Sequence, residues 1–150
     1  MSHTAFRSTL RELARCYQAF EAYASSHIHL QGLTISQFDI LVTLGNGQAM
    51  TPKELVEKTL ITKGTLTGVV DRLQSKGLVK RTPSTLDGRS QIITLTPKGQ
   101  ILFKQIFPEH LAYMSKAFKH FKSEEISHIE ETLITLRHAL ENPKPKKVKP

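Results

Sequence analysis

Apolar side chains recur at helical spacing in three segments of the chain, one near its start and two near its end. Successive apolar positions are separated by alternating steps of three and four residues, which predicts amphipathic helices with one narrow apolar stripe each. The stripes are Phe6, Leu10, Leu13, Tyr17, Phe20 and Ala24; Phe107, Leu111, Met114, Phe118 and Phe121; and Ile126, Ile129, Leu133, Leu136 and Leu140. Pro108 lies inside the second stripe and is expected to kink that helix.

The middle of the chain contains two helix-start motifs. Thr34 and Gln37 form a capping box, which predicts a helix through about Leu44, ended by a Gly-Asn-Gly sequence. Thr51 and Glu54 form a second box, with a proline at the first helical position, where its missing N–H does no harm. A short helix is therefore predicted to follow Thr51.

A third helix follows closely. Thr62 is placed to cap it, and it is expected to run to about Lys76 and to be stopped by Gly77. Two short helices joined by a tight connection are a helix-turn-helix candidate. Residues 78–82 and 91–96 then predict two strands of a β-hairpin.

Thr96 caps the next helix, and Ser123 starts the last one. The predicted fold is mainly α with a small β-hairpin wing, a winged helix-turn-helix. Residues 34–96 form this compact unit, and the regions 1–33 and 97–141 supply the outer helices. An ordinary intramolecular bundle is one interpretation of the outer stripes; we favour a dimer interface, because helices from both ends of the chain flank an independent unit.

The helix predicted after Thr62 has an unusual composition. Residues 61–70, ITKGTLTGVV, contain two glycines and three threonines, although each glycine costs about 1 kcal/mol against alanine inside a helix. On a helical wheel the apolar residues converge on one side, and the opposite side carries almost no bulk. The inner side is Leu66, Val69, Val70 and Leu73, and the outer side is Gly64, Gly68, Asp71 and Ser75.

A helix surface without bulk suits close approach to another molecule. The DNA major groove admits a helix whose N-terminal residues meet the base edges. Thr65 and Thr67 offer hydroxyl groups for bases or phosphates, and Lys63 suits phosphates. Close packing of the glycines against another helix is the alternative. The candidate DNA-binding residues of this region are Lys53, Thr62, Lys63, Gly64, Thr65, Thr67, Gly68 and Arg72.

The hairpin adds a second candidate contact. Its turn carries Asp87 and Arg89 on either side of a glycine, after Lys80 and Arg81 in the preceding strand. An arginine at an exposed hairpin tip suits a narrow minor groove, where the negative potential is enhanced. Asp87 is placed to hold that guanidinium or to brace the turn.

Charge and composition are consistent with an anionic partner. The net charge is +8, and half of it lies in four lysines of a proline-rich C-terminal segment, 142–150, expected to be a disordered basic tail. That tail is either a solvated end or an attraction for phosphates. No apolar run approaches the roughly 20 residues of a membrane span, and the N-terminus lacks a signal-peptide pattern, so a cytoplasmic protein is expected.

These motifs together resemble the MarR family of bacterial transcription regulators. The segments LTISQFDILVTL, TPKELVEKTLITKGTLTGVVDRLQSKGLVKR and LDGRSQIITLTPKGQ match the family pattern in order and spacing, and the match covers about residues 5–141. The resemblance implies a homodimer bound to double-stranded DNA at a pseudopalindromic site, with the terminal helices forming the dimerisation region. It also implies an effector, often a small aromatic molecule, but the sequence does not name one. The chain departs from the pattern at Gly88 and Ser90, where members often carry charged residues.

Other functions are weighed against this one. Organic peroxide sensors of the same family use a cysteine in the first helix, which makes Cys16 a candidate redox residue, although the wheel places it on the core side, as expected of a buried inert thiol. The histidines share no metal-ligand spacing, and no nucleophile with a base or phosphate-binding loop is present, so no metal, cofactor or enzymatic activity is expected. A sequence-blind binding module of the same fold is the third alternative.

Overall fold

The computed structural model describes residues 4–84 and 89–143 of the chain. The helices are α1 (Arg7–Ile28), a short 3-10 helix (His29–Gln31), α2 (Ile35–Asn46), α3 (Pro52–Lys58), α4 (Lys63–Ser75), α5 (Pro97–Phe118) and α6 (Ser123–Glu141), and the strands are β1 (Val79–Pro83) and β2 (Gln91–Leu95). This order confirms the predicted helical fold with one hairpin. Asp87, Gly88 and the tail lysines beyond Pro143 lie outside the described residues.

Both predicted capping boxes are present. The Thr34 hydroxyl accepts the Gln37 N–H at 3.2 Å, and the Gln37 side chain accepts the Thr34 N–H at 3.2 Å, which starts α2. Thr51 and Glu54 form the same reciprocal pair at 3.2 and 2.9 Å at the start of α3. Each box satisfies N–H groups that the first turn of a helix leaves without intrahelical partners.

Replacing Thr34 with alanine is expected to destabilise the fold by about 1 kcal/mol, because the first turn of α2 loses its side-chain acceptor. Thermal unfolding of the purified variant measures this change. The matched control is Thr43→Ala, a threonine of the same helix away from its capped end, which leaves the box intact. An unchanged melting temperature in Thr34→Ala would contradict the assigned role of the box.

The apolar core is built from the buried faces of α1 to α5 and the inner face of the hairpin. Leu41, Leu55, Leu73, Ile93 and Ile106 are each at most 1% exposed. β1 and β2 pair antiparallel in the register Val79–Leu95 to Pro83–Gln91, and β2 is further joined to the segment before α3 by a bridge between Met50 and Ile93. Residues from α1 to the hairpin therefore share one apolar interior.

The C-terminal end of α4 is held by contacts from distant parts of the chain. Gly77 follows it with φ +72°, a left-handed conformation that favours glycine and ends the helix. The Lys76 ammonium donates to the Gly32 carbonyl, and the Lys98 ammonium donates to the Lys76 carbonyl at 2.8 Å. Thr96, which caps α5 by accepting the Gly99 N–H at 3.1 Å, also donates to the Gly77 carbonyl at 2.5 Å.

The chain divides into two compact units, residues 1–114 and 115–150. In the first unit, the N-terminal half of α1 is exposed apart from the half-buried Leu13, so most of its apolar stripe is uncovered by the described residues. In the second unit, every residue of α6 is exposed except the half-buried Leu136. Helix α5 continues through Pro108 and ends at Phe118, so Phe121 falls in the turn that follows and not in the helix as predicted.

Within residues 4–84 and 89–143, no helix combines the length and apolar character that crossing a bilayer requires.

Candidate nucleic-acid interface

The outer face of α4 (Gly64, Gly68, Asp71 and Ser75) is exposed, and the opposite face is buried, as the wheel predicts. A Cβ atom built on Gly64 or Gly68 meets no described atom within 4 Å. Close packing against another helix of the same chain therefore does not explain either glycine, as far as the described residues show. The two glycines leave an uncovered strip of helix backbone.

The first turn of α4 differs from the predicted cap. Thr62 occupies the N-cap position, but in the described structure its side chain makes no capping bond to a backbone N–H. Its hydroxyl instead donates to the Thr65 hydroxyl at 3.1 Å, so the predicted side-chain cap is wrong, although the helix starts where predicted. This bond directs the Thr65 oxygen toward Thr62 and leaves the Thr65 hydroxyl proton available to another acceptor.

The start of α4 also presents positive charge and backbone donors. The Thr65 and Leu66 N–H groups make the first intrahelical bonds, to the Thr62 carbonyl at 3.1 and 3.0 Å, so the N–H groups of Lys63 and Gly64 precede them. A helix N-terminus of this kind attracts anions. The exposed side chains of this region are Lys53 at the start of α3 and Thr62, Lys63, Thr65, Thr67 and Arg72 on α4.

Arg81 connects the hairpin to α4. From β1 its guanidinium donates to the Asp71 carboxylate at 2.5 Å, to the Gln74 side-chain oxygen, and to the Thr67 carbonyl at 3.5 Å. The Arg81 side chain is 20% exposed and that of Asp71 is 59% exposed. The only carboxylate on the outer face of α4 is thereby paired with a cation. The sequence shows Arg81 only as a basic residue before the hairpin turn, because its contact with Asp71 joins positions ten residues apart through the tertiary fold.

The hairpin presents Arg89 at its exposed end. Just beyond the strands, the Ser84 N–H donates to the Ser90 carbonyl at 2.8 Å, so the two arms remain paired next to the turn. Arg89 lies in that turn and is exposed. Its predicted partner Asp87 lies outside the described residues.

A cleft of about 360 Å³ lies between α4 and the hairpin. Its lining combines apolar residues with Arg81, Gln91 and Thr67. The lining residues are Pro52, Leu66, Thr67, Val70, Arg81, Gln91 and Ile93. The cleft is within the size range of small-molecule sites.

Cys16 lies elsewhere, on the exposed half of α1. The expectation that its thiol is buried is wrong for the described chain, because the apolar side of this half of α1 has no covering element there. It is the only cysteine of the sequence, which excludes an intramolecular disulfide and leaves the thiol-based alternative disfavoured.

Comparison with known proteins gives a consistent result. A family model described as MarR family matches residues 31–90. The chain is 31% identical over 121 residues to the HTH-type transcriptional regulator MhqR of Bacillus subtilis, covering 81% of this chain and 83% of that protein. The relatives found are transcriptional regulators and not enzymes.

Solved structures agree with this similarity. A structure of BpsR from Bordetella bronchiseptica, concerned with the regulation of its DNA binding by 6-hydroxynicotinic acid, is 27% identical with a TM-score of 0.78, covering 87% of this chain and 98% of that one. A mutant MarR from E. coli complexed with operator DNA is 23% identical with a TM-score of 0.80, covering 91% and 98%.

Proposed function

Because the chain belongs to the MarR family of DNA-binding transcription regulators, we propose that it acts in the cytoplasm as a repressor, a homodimer on a pseudopalindromic operator from which a small molecule releases it. The observation that carries sequence-specific binding is the uncovered outer face of α4. A solvent-facing helix position is normally filled by a strong helix former. Two glycines at such positions cost stability, and access of the α4 backbone to base edges explains them.

The exposed residues divide by role. Thr65 and Thr67 contact base edges in the major groove, since a hydroxyl serves as donor or acceptor and a threonine methyl group contacts thymine. Lys53, Lys63 and Arg72 neutralise phosphates, which sets position along the duplex and not sequence. The remaining candidate residues either allow the α4 backbone to approach the DNA closely or contact the minor groove. They are Thr62, Gly64, Gly68, Asp87 and Arg89.

Dimerisation accounts for the uncovered apolar stripes. The exposed apolar residues of α1 in the first unit, and those of α6 in the second, are expected to be buried by a second copy of the chain. In this proposal the regions 1–33 and 97–141 form the dimerisation region, and 34–96 binds DNA. The two α4 helices then enter grooves one helical turn, about 34 Å, apart.

Release requires an effector that changes the DNA-binding surface. The cleft beside α4 suits a small aromatic acid, because Leu66, Val70 and Ile93 line it and Arg81 offers a partner for a carboxylate. A carboxylate bound there competes with Asp71 for Arg81. The effector therefore acts on a contact that holds α4 itself. Repression follows from occupation of promoter DNA, and effector binding reverses it.

Selection of binding sites from a random duplex pool tests the proposed function. We expect a pseudopalindrome to emerge with the unaltered protein. Thr65→Ala is expected to relax the selected sequence at one position of each half-site, because a base contact is lost. Arg89→Ala is expected to weaken binding about fivefold across sequences without changing the selected motif, because its minor-groove contact depends on DNA shape and charge.

The matched control is Thr132→Ala, an exposed threonine on α6, which should leave the selected sequence unchanged. A pool that remains random despite salt-sensitive binding would refute sequence-specific regulation and favour a sequence-blind DNA-binding module.

A further inference from the structure

Two histidines that lie far apart in the sequence meet between α1 and α5. The Nδ1 atoms of His27 and His110 are 3.1 Å apart, and their ring centroids are 5.2 Å apart. His110 is 8% exposed. The pair lies within the first compact unit.

Aromatic rings surround this imidazole pair. Tyr113 stacks on His27 at 4.8 Å between ring centroids and also on Tyr23 at 4.6 Å, and Phe38 of α2 lies 4.6 Å from His110. These neighbours fix the positions of both imidazoles. A change in the separation of the two rings therefore disturbs the packing between α1 and α5.

Charged groups near the pair are few among the described residues. Tyr113 on α5 is in ring contact with both histidines, and Tyr23 on α1 stacks on Tyr113; both are phenols, which are uncharged at neutral and acidic pH. From α2 the uncharged Phe38 faces His110, and the adjacent Asp39 accepts the Leu60 N–H at 3.0 Å. Two further groups adjoin the pair in sequence and are exposed: Glu109 and His29.

The short contact depends on the protonation state. A hydrogen bond between two Nδ1 atoms requires a proton on one of them and a free lone pair on the other. The bond therefore exists when both imidazoles are neutral or when one is protonated. When both are protonated, each Nδ1 carries a hydrogen, and two positive charges face each other in a largely buried site. The two Nδ1–H groups then clash, and the two charges repel each other, so the packed arrangement is destabilised.

The direction of the pKa shift of His110 agrees with this dependence on protonation. Burial, and after it the nearby His27, lowers the pKa of His110 below its ordinary value. An opened state, in which His110 is hydrated, binds the proton more readily than the packed state does. The packed state is therefore favoured at pH values above the ordinary histidine pKa of about 6.5. This stabilisation is lost as the pH falls through the lowered pKa of His110.

Two connections, each of which includes a hydrogen bond, lead from this site to α4. Phe38, which contacts His110, is followed on α2 by Asp39, whose carboxylate holds the Leu60 N–H in the turn before α4. α1, which carries His27, continues through the 3-10 helix to Gly32, whose carbonyl accepts from Lys76 at the end of α4. Both ends of α4 are thus joined to elements that pack on the histidine pair.

We propose that the His27–His110 pair is a proton-operated switch, in which double protonation separates α1 from α5, shifts α4 through its contacts with α2 and Gly32, and lowers the affinity for DNA. The proposal rests on the proposed DNA-binding function. It predicts release from DNA on acidification, which is opposite to the general trend, because protonation of surface histidines adds positive charge and strengthens attraction to phosphates.

The test measures DNA affinity between pH 7.5 and 5.5 at constant ionic strength with EDTA present, using the duplex selected as described above. We expect the unaltered protein to lose about fivefold or more in affinity on acidification, the lower end of typical coupling between sites. His110→Gln, which cannot charge, is expected to lose less than about twofold over the same range. His29→Gln, which removes an exposed histidine two positions from His27, should behave as the unaltered protein.

Imidazole NMR of the DNA-free protein provides an independent measurement. We expect one histidine to titrate below its ordinary range in the unaltered protein and to move toward that range in His27→Gln, while the fold at pH 7.5 is verified by thermal unfolding. An unchanged His110 titration in His27→Gln overturns the proposal, as does affinity that holds or rises on acidification. Absence of binding to any duplex at pH 7.5 would instead refute the proposed function, and the two failures are therefore distinguishable.

Discussion

Alanine in place of both Gly64 and Gly68 is expected to stabilise the protein and to weaken its binding to DNA. The added methyl groups meet no described atom within 4 Å, so each substitution contributes helix propensity of up to about 1 kcal/mol without a clash. At the DNA surface the same methyl groups lie where the backbone approaches base edges. Overpacking typically costs about 1–3 kcal/mol, which corresponds to roughly a 5- to 150-fold loss of affinity.

The measurement combines thermal unfolding with a titration of the selected duplex. Ser75→Ala is the matched control, because it also adds helix propensity on the outer face of α4 but at the end away from the first turn. It should leave affinity unchanged. If the variant with alanine at both Gly64 and Gly68 bound DNA as tightly as the unaltered protein, the uncovered strip of α4 backbone would have no role in recognition.

Arg81→Ala is expected to weaken DNA binding by about tenfold or more, which corresponds to about 1.4 kcal/mol or more of binding free energy. The variant loses the guanidinium that joins β1 to Asp71, Gln74 and the Thr67 carbonyl. It also leaves the Asp71 carboxylate uncompensated on the face that approaches a polyanion. The effect on stability is expected to be at most about 1 kcal/mol, because Asp71 is 59% exposed and solvent screens the pair.

A double-mutant cycle with Asp71→Asn distinguishes two causes of this loss: repulsion between Asp71 and the DNA phosphates, and displacement of α4 relative to the hairpin. If repulsion between Asp71 and phosphate causes the loss, Asp71→Asn in the Arg81→Ala background restores a substantial part of the affinity, and the restoration diminishes at high salt. If the double variant binds no better than Arg81→Ala, the guanidinium acts by placing α4 and the hairpin. Wild-type affinity in Arg81→Ala would contradict both roles.

Much of the fold follows from interactions between residues close in the sequence. The boxes at Thr34 and Thr51 are predictable because each is closed within four residues by groups whose geometry the helix itself sets. The buried face of α4 follows from the helical period, since Leu66 and Val70 must share a side. The same period places Gly64 and Gly68 on the outer side of α4. They are recognisable there as unusual, because a solvent-facing helix position is normally filled by a strong helix former.

The remaining features depend on the tertiary structure. The wheel places Cys16 beside Leu13 but cannot show whether anything covers that side, and in the described chain the thiol is exposed. The Arg81–Asp71 pair requires β1 to run alongside α4. The His27–His110 contact joins positions 83 residues apart, so neither their spacing nor their local composition indicates it. The Thr62 hydroxyl at the start of α4 bonds to the Thr65 side chain and not to a backbone N–H. Both partners are close in the sequence, and the sequence does not indicate which of them forms the bond.

The two ends of α4 differ in how firmly they are held, and this difference affects the entropy of recognition. Lys76, Gly77 and the residues of α5 that contact them fix the rear of the helix, whereas its front has two glycines and no side-chain bond to its first N–H groups in the described structure. The front therefore has the lower local stability, and in the proposed complex part of its ordering is completed on the duplex. A duplex that supplies the full set of contacts compensates this loss of freedom, and one that supplies only phosphates does not. In the proposed complex, discrimination between operator and bulk DNA therefore arises partly from the low local stability of the start of α4.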